Sequence, residues 1–144
     1  MKINNAGLKI LQDFEGLRLK AYKCPAGVWT IGYGSTGEGI GPGVVWTLDQ
    51  AIDRLKRDLA EFEEGVTRLT NNRPLTENQF SALVVFVYNV GLGAFKTSTM
   101  LKKIKAGHVL DAADEFARWN RAAGKILTGL TRRRLAERAL YVRA

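Results

Sequence analysis

Apolar positions fall into a few distinct patterns along the chain. Leu8, Leu11 and Phe14 recur at helical spacing behind Asn4 and Asn5, either of which can cap a helix, and Gly16 is a natural stop. A short N-terminal helix ending at Glu15 is predicted. Residues 18–34 then change period. Cys24-Pro25-Ala26-Gly27 suits a type I turn, with proline second and glycine fourth. A left-handed Gly27 would make it a three-residue hairpin loop with a bulge. In that register Cys24 pairs with Val28 and Tyr22 with Thr30. Alternation along the strands puts Tyr22, Cys24, Val28, Thr30, Gly32 and Gly34 on one face. Leu19, Ala21, Trp29, Ile31 and Tyr33 take the other, which is apolar and expected to pack inward. The glycine-rich connector at residues 38–45 is expected to add a third short strand.

Downstream the pattern is helical. Thr47-Leu48-Asp49-Gln50 is a capping box opening a long helix, with Ala51, Ile52, Leu55, Leu59, Phe62 and Val66 on one stripe. Asn71-Asn72-Arg73-Pro74 breaks it. Thr76-Glu77-Asn78-Gln79 is a second capping box. The helix it opens, residues 80–90, is apolar almost all round and should be buried. Gly91 and Gly93 are expected to end it. Three further helices are predicted. One is capped by Thr97 or Ser98 and ends at Gly107. One spans residues 109–120 with Leu110, Phe116 and Trp119 inward. The last runs from about Leu130 to Val142, after a loop framed by Gly124 and Gly129. The fold class is therefore α+β: a small antiparallel β-hairpin lobe joined by a long helix to a larger helical lobe. A single domain over 1–144 is expected, with the small lobe at about 15–46. The helical lobe takes about 47–144 plus the N-terminal helix.

Composition narrows the functional classes. The chain is 144 residues long and 46% hydrophobic, enough for a substantial core. Lys and Arg number 22 against 14 Asp and Glu, a net charge of +8, which implies an anionic partner. Charge alone does not choose among nucleic acid, phospholipid and wall polymers. One cysteine excludes an internal disulfide, and one histidine beside it makes no credible metal site. His108 reads as a surface residue near a helix start. The N-terminal stretch lacks the apolar core of a signal peptide, and no apolar run approaches a membrane span. The expected location is a host cytoplasm, with an upstream anchor as an alternative. Gly32 to Gly37 matches the dinucleotide fingerprint but is rejected, because glycines and Pro42 follow where a helix must start.

Residues 15–37 concentrate the candidate chemistry. Glu15 would end a helix, where the dipole works against a charge and favours the protonated acid that glycosidic cleavage needs. Cys24 and Thr30 share a hairpin face, with Gly32 and Gly34 beyond them leaving room for a bulky ligand beside Tyr22. At these residues the chain resembles the phage-type lysozymes, the muralytic endolysins. Their pattern is Glu, eight residues, Asp or Cys, five residues, Thr, and here it reads Glu15, Cys24, Thr30. The words FEGLRLKAY, WTIGYGSTG, QFSALVVFVYNVGLGAFKTSTML and GLTRRRLAERALY also match, in order, across essentially the whole chain.

The resemblance implies a lysozyme-like fold and a muramidase, a glycoside hydrolase. It would cleave the β-1,4 bond between N-acetylmuramic acid and N-acetylglucosamine in a cleft between the lobes, for host cell lysis. Glu15 is implied as the general acid. Thr30 would orient water, and Cys24 would either help activate that water or attack the sugar as a thiolate. Lys20, Lys23 and the basic surface are expected to draw the thiol down. Arg133, with Arg134, is implied as support, pairing with Glu15. Trp119, Asn120, Gly124 and Lys125 could line the cleft's far wall, although Trp119 could equally be core. Ser35 stands where many relatives carry histidine, so an ion pair made there would be lost.

No cofactor or metal is implied. The expected partners are peptidoglycan glycan strands, with anionic outer-membrane lipid as a second partner for the basic C-terminal helix. No specific nucleic acid is expected, and the chain should be monomeric. The enzyme would act on the cell wall and periplasm after release. Two rival readings are a lytic transglycosylase using Glu15 alone and a non-enzymatic cationic membrane-active module.

Overall fold

The computed structural model describes residues 1–143. The element order is α1 (Asn5–Glu15), β1 (Arg18–Lys23), β2 (Trp29–Gly32), α2 (Leu48–Leu69), α3 (Glu77–Val90), α4 (Leu92–Lys96) and α5 (Thr99–Lys105). A 3-10 helix (Asp111–Arg118), β3 (Arg121–Ala122), β4 (Lys125–Ile126) and α6 (Thr128–Val142) complete it. The fold is α+β, as the sequence predicts. The chain divides into two compact units, Gln12–Glu61 and the rest, so α1 and α2 each contribute residues to both.

The helical unit is built on α3. Thr76 Oγ1 accepts from Gln79 N at 3.0 Å, and Gln79 Oε1 accepts from Thr76 N at 2.9 Å, so the predicted capping box forms. Every residue from Gln79 to Val87 is buried. Phe86 sits at the centre, edge-on to Phe95, Phe116 and Trp119 at 5.3–6.4 Å. α6 packs against α3 and the 3-10 helix. Asn4 anchors the start of α1: its Oδ1 accepts from Gly7 N at 3.0 Å, and its own N–H donates to Ser81 Oγ at 2.9 Å. A side chain at Gly7 would meet Ser81 Cβ at 3.0 Å, so the missing side chain permits this approach.

α2 is opened by its capping box, with Thr47 N donating to Gln50 Oε1 at 2.8 Å and Gln50 N to Thr47 Oγ1 at 3.2 Å. Ala51, Leu55, Leu59 and Val66 of its stripe are buried. Asn71 and Asn72 end the segment at φ +53° and +55°.

Several expectations need correction. Phe14 is 38% exposed, because the buried side of α1 is Gly7 and Leu11 and the last turn stands clear. Leu19 is 39% exposed, in a strand whose alternation is interrupted by an irregularity between Arg18 and Tyr22. The third strand is reduced to a single bridge, Lys20 with Val45. Gly91, at φ +91°, ends α3, but Gly93 lies inside α4, an unpredicted helix. Residues 111–118 wind as a 3-10 helix, not an α-helix, and bury Ala112 with Glu115 and Ala113 with Phe116, each pair three apart. Leu110 precedes this helix and is 69% exposed rather than inward. An unpredicted hairpin, β3–β4, precedes and enters the loop expected between Gly124 and Gly129, turning at Ala123 (φ +51°) and Gly124 (φ +77°). Gly129 falls within α6.

Candidate active site

Gln12–Glu61 holds Glu15, Tyr22, Cys24, Thr30, Gly32 and Gly34; the helical unit holds Trp119, Asn120, Lys125, Arg133 and Arg134.

Glu15 is the last residue of α1 and is half-buried. Gly16, at φ +71°, donates its N–H to Gln12 O at 3.0 Å and turns the chain into β1. The expected helix-end position is therefore realised, three residues before the strand starts.

The hairpin adopts the predicted register. Gly27 N donates to Cys24 O at 2.8 Å, Cys24 N donates to Val28 O at 2.9 Å, and Tyr22 pairs with Thr30. Gly27 has φ +80°, as the bulged loop requires. Cys24 is half-buried, and Thr30 is buried. The thiol is drawn below its usual range, chiefly because Val28 N–H donates to the sulfur. Burial opposes this, while Ala26 N–H, the Thr30 hydroxyl and the cysteine's own N–H reinforce it. The expected cause was lysine charge. The structure replaces it with donors built into the loop.

An aspartate at this place would accept from the same N–H groups, in the manner of an Asx turn. Cys24 thus sits in a loop shaped to receive an anion. Thr30 Oγ1 also lies 3.0 Å from Val28 O, to which it donates. Its single proton serves one acceptor at a time, so ionising Cys24 would draw it from the carbonyl to the sulfur.

The face around this pair is more occupied than the sequence suggests. The Arg18 guanidinium lies 4.7 Å from the centre of the Tyr22 ring. The Trp46 ring would lie 3.1 Å from a side chain at Gly32, so the room expected there for a ligand is filled by tryptophan. Gly32 and Gly34, at φ +68° and +83°, serve the turn that joins Ile31 to Ser35.

That turn is latched to α2 by residues not singled out as functional from the sequence. Ser35, 1% exposed, donates to Asp58 Oδ2 at 2.9 Å. Arg54 Nε donates to Asp58 Oδ1 at 3.0 Å, and its Nη2 donates to Thr36 O at 2.8 Å. Asp58 thus keeps a partner at Ser35, by hydrogen bond in place of an ion pair. The i,i+4 spacing of Arg54 and Asp58 was the available signal.

In the helical unit Arg133 and Arg134 are buried on Glu137, which is itself fully buried. Arg133 Nε donates to Glu137 Oε2 at 3.1 Å and its Nη2 to Val85 O at 3.0 Å. Arg134 Nη2 reaches Asn89 Oδ1 at 2.9 Å. Its Nε approaches Glu137 Oε1 to 2.7 Å as an ionic contact without hydrogen-bond alignment. Burial raises the Glu137 carboxyl, and Arg134 and then Arg133 oppose that. Trp119 is half-buried against Phe86. Asn120 Nδ2 donates to Thr131 Oγ1 at 3.2 Å, and Lys125 is exposed on β4. Among the described residues no cluster of three or more His, Cys, Asp or Glu could hold a metal, and no helix is long and apolar enough to cross a membrane.

An α+β chain with an acid ending its first helix and a Cys–Thr pair in the hairpin that follows has the architecture of a lysozyme-like protein. The muramidase domain of SpmX from Asticaccaulis excentricus superposes at a TM-score of 0.91, 38% identical, over 99% of both chains. The phage lysozyme family model matches residues 12–137, and the chain belongs to that family. It is 46% identical to the endolysin of Bacillus phage PZA over 98% of its own length. It spans only 55% of that relative's length. The endolysin of Acyrthosiphon pisum secondary endosymbiont phage 1 is 45% identical, with 98% of each chain covered.

Proposed function

We propose that this protein is an endolysin that hydrolyses the β-1,4 bond between N-acetylmuramic acid and N-acetylglucosamine in peptidoglycan, for host cell lysis. The observation that carries the reading is the meeting of Cys24 and Thr30 across the hairpin, in the unit that also holds Glu15. Glu15 donates a proton to the leaving oxygen as positive charge develops at the sugar's C1. Thr30 and Cys24 hold the water that attacks C1 from the opposite face, and the configuration inverts. The depressed thiol suits this work, because its anion can take a proton from water as an aspartate would. Direct attack by sulfur is the weaker reading, since the donors that stabilise a thiolate also lower its nucleophilicity.

Tyr22, Trp119, Asn120 and Lys125 are assigned to glycan binding, and Arg133 and Arg134 to support; Gly32 and Gly34 shape the turn beside them instead. The enzyme reaches the wall after release from the host cytoplasm. Family membership and the resemblance to endolysins support this reading over the membrane-active module. The test is mass spectrometry of fragments released from purified peptidoglycan. Reducing muramic ends are expected. 1,6-anhydro ends would replace the proposal with a lytic transglycosylase. Cys24→Asp should retain activity and Cys24→Ser should lose much of it; full activity in Cys24→Ser would remove sulfur from the mechanism.

A further inference from the structure

α6 has an outward side as well as a buried one. Thr128, Arg132, Leu135, Ala139 and Val142 are exposed, and their spacing of four, three, four and three places them on one side of the helix; Arg143, also exposed, follows as its C-cap. None is acidic. Leu135 is 58% and Val142 46% exposed. More aliphatic surface adjoins it. Ile126 and Leu127, 60% and 43% exposed, lead directly into the helix. Leu110, 69% exposed, is brought near its other end where Tyr141 Oη donates to Val109 O at 2.5 Å.

Exposed Arg121 and Lys125 on β3 and β4 add positive charge beside the N-terminal end. Acids do stand nearby: Asp114 is paired with Arg138 at 3.2 Å, and Glu77 is exposed beside Asn78, whose Nδ2 donates to Arg143 O at 3.4 Å. Arg133 and Arg134 do not contribute, because both are buried on Glu137.

Single exposed leucines are ordinary on a protein surface. Here aliphatic and arginine side chains share one acid-free helix face on a chain of net charge +8. A polyanion such as a nucleic acid or a wall polymer would use only the arginines. A surface with anionic headgroups over hydrocarbon uses both. We propose that the outward face of α6 docks on an anionic phospholipid bilayer. This does not depend on the hydrolase reading, since none of the residues substituted to test it belongs to the assigned catalytic or glycan-binding set; Lys125, which does, is left unchanged.

The test is flotation of the full chain with vesicles of phosphatidylglycerol and phosphatidylethanolamine, or of phosphatidylcholine alone. The protein should float with the anionic vesicles, detach as salt rises, and ignore phosphatidylcholine. Leu135→Glu with Val142→Glu should lower the partition by about tenfold or more. Arg132→Glu with Arg143→Glu should do the same. Both pairs should keep the far-UV spectrum and the activity on isolated wall fragments. Leu135→Ser with Val142→Ser is the milder pair should the glutamates disturb folding. The proposal fails if the parent does not float. It fails if only the arginine pair matters, which would make the face a plain polyanion site. It also fails if sedimentation shows a dimer that Leu135→Glu dissolves, for a second copy would then cover the face.

Discussion

Strands β1 and β2 bury only Ala21, Thr30, Ile31 and Gly32, whereas α3 buries an unbroken run from Gln79 to Val87. Order in the two regions has different sources. The hairpin is held by directional bonds: the Cys24–Val28 closure, the left-handed Gly27, and the Ser35–Asp58–Arg54 latch. α3 is held by apolar area and by rings meeting edge-on around Phe86. Directional bonds can fix a half-buried thiol against a buried hydroxyl in a small hairpin. Apolar burial cannot, but it supplies most of the free energy that keeps the chain folded. The contrast predicts that rate and stability separate cleanly between the two regions.

The largest expected effect is on rate. Glu15→Gln should lower peptidoglycan hydrolysis by about 10²–10⁴-fold while wall binding and unfolding midpoint stay near the parent's. Turbidity clearing, pull-down on walls and thermal melting read the three quantities. Loss of binding in step with rate would make Glu15 a binding group instead.

Next come core variants. Phe86→Ala should cost about 3–5 kcal/mol of stability by denaturant titration. Activity per folded molecule should change little. A large change per folded molecule would break the division between the regions.

The latch should fall in between. Asp58→Ala strands the buried Ser35 hydroxyl and frees Arg54, at a cost of about 1–3 kcal/mol. Asp58→Asn, which can still accept from Ser35, should recover part of it. Equal losses in both variants would mean that the charge of Asp58, not its hydrogen bond, holds the turn.

The smallest effect is a shift in reactivity. Cys24 should react with iodoacetamide at a half-maximal pH below the ~8.5 of an ordinary thiol, because hydrogen-bond donors favour its anion. Thr30→Val removes one such donor and should move that midpoint up. No movement would show that the backbone N–H groups of Val28 and Ala26 suffice.

How much of this was readable in advance follows from where the determinants lie. Pro25 and Gly27 admit few loop geometries, so the pairing of Tyr22 with Thr30 could be written from the chain alone. The two capping boxes were equally explicit, since donor and acceptor sit three residues apart. β3–β4 carried no such mark. Its turn puts Ala123 in the left-handed region, where Asn or Gly would have announced it. The 3-10 winding of residues 111–118 has a period of three, close enough to 3.6 to pass for an α-helix over two turns.

At the site, the identities of Cys24 and Thr30 were legible but the cause of the low thiol was not. Lys20 and Lys23 are visible in a sequence, whereas the N–H groups of Val28 and Ala26 become donors only once the loop closes. The basic run 132–134 likewise read as one cluster. A helix sends Arg133 and Arg134 inward to Glu137 and leaves Arg132 outside.

The central claim is that water, held by Thr30 and Cys24, attacks the sugar on the face opposite the departing oxygen. Proton NMR of the first product released from a soluble glycan strand, recorded before mutarotation, tests it most directly. The account predicts that the new reducing end appears as the α-anomer. A first product in the β-anomer would contradict it, for water would then have arrived on the face that the leaving oxygen vacated.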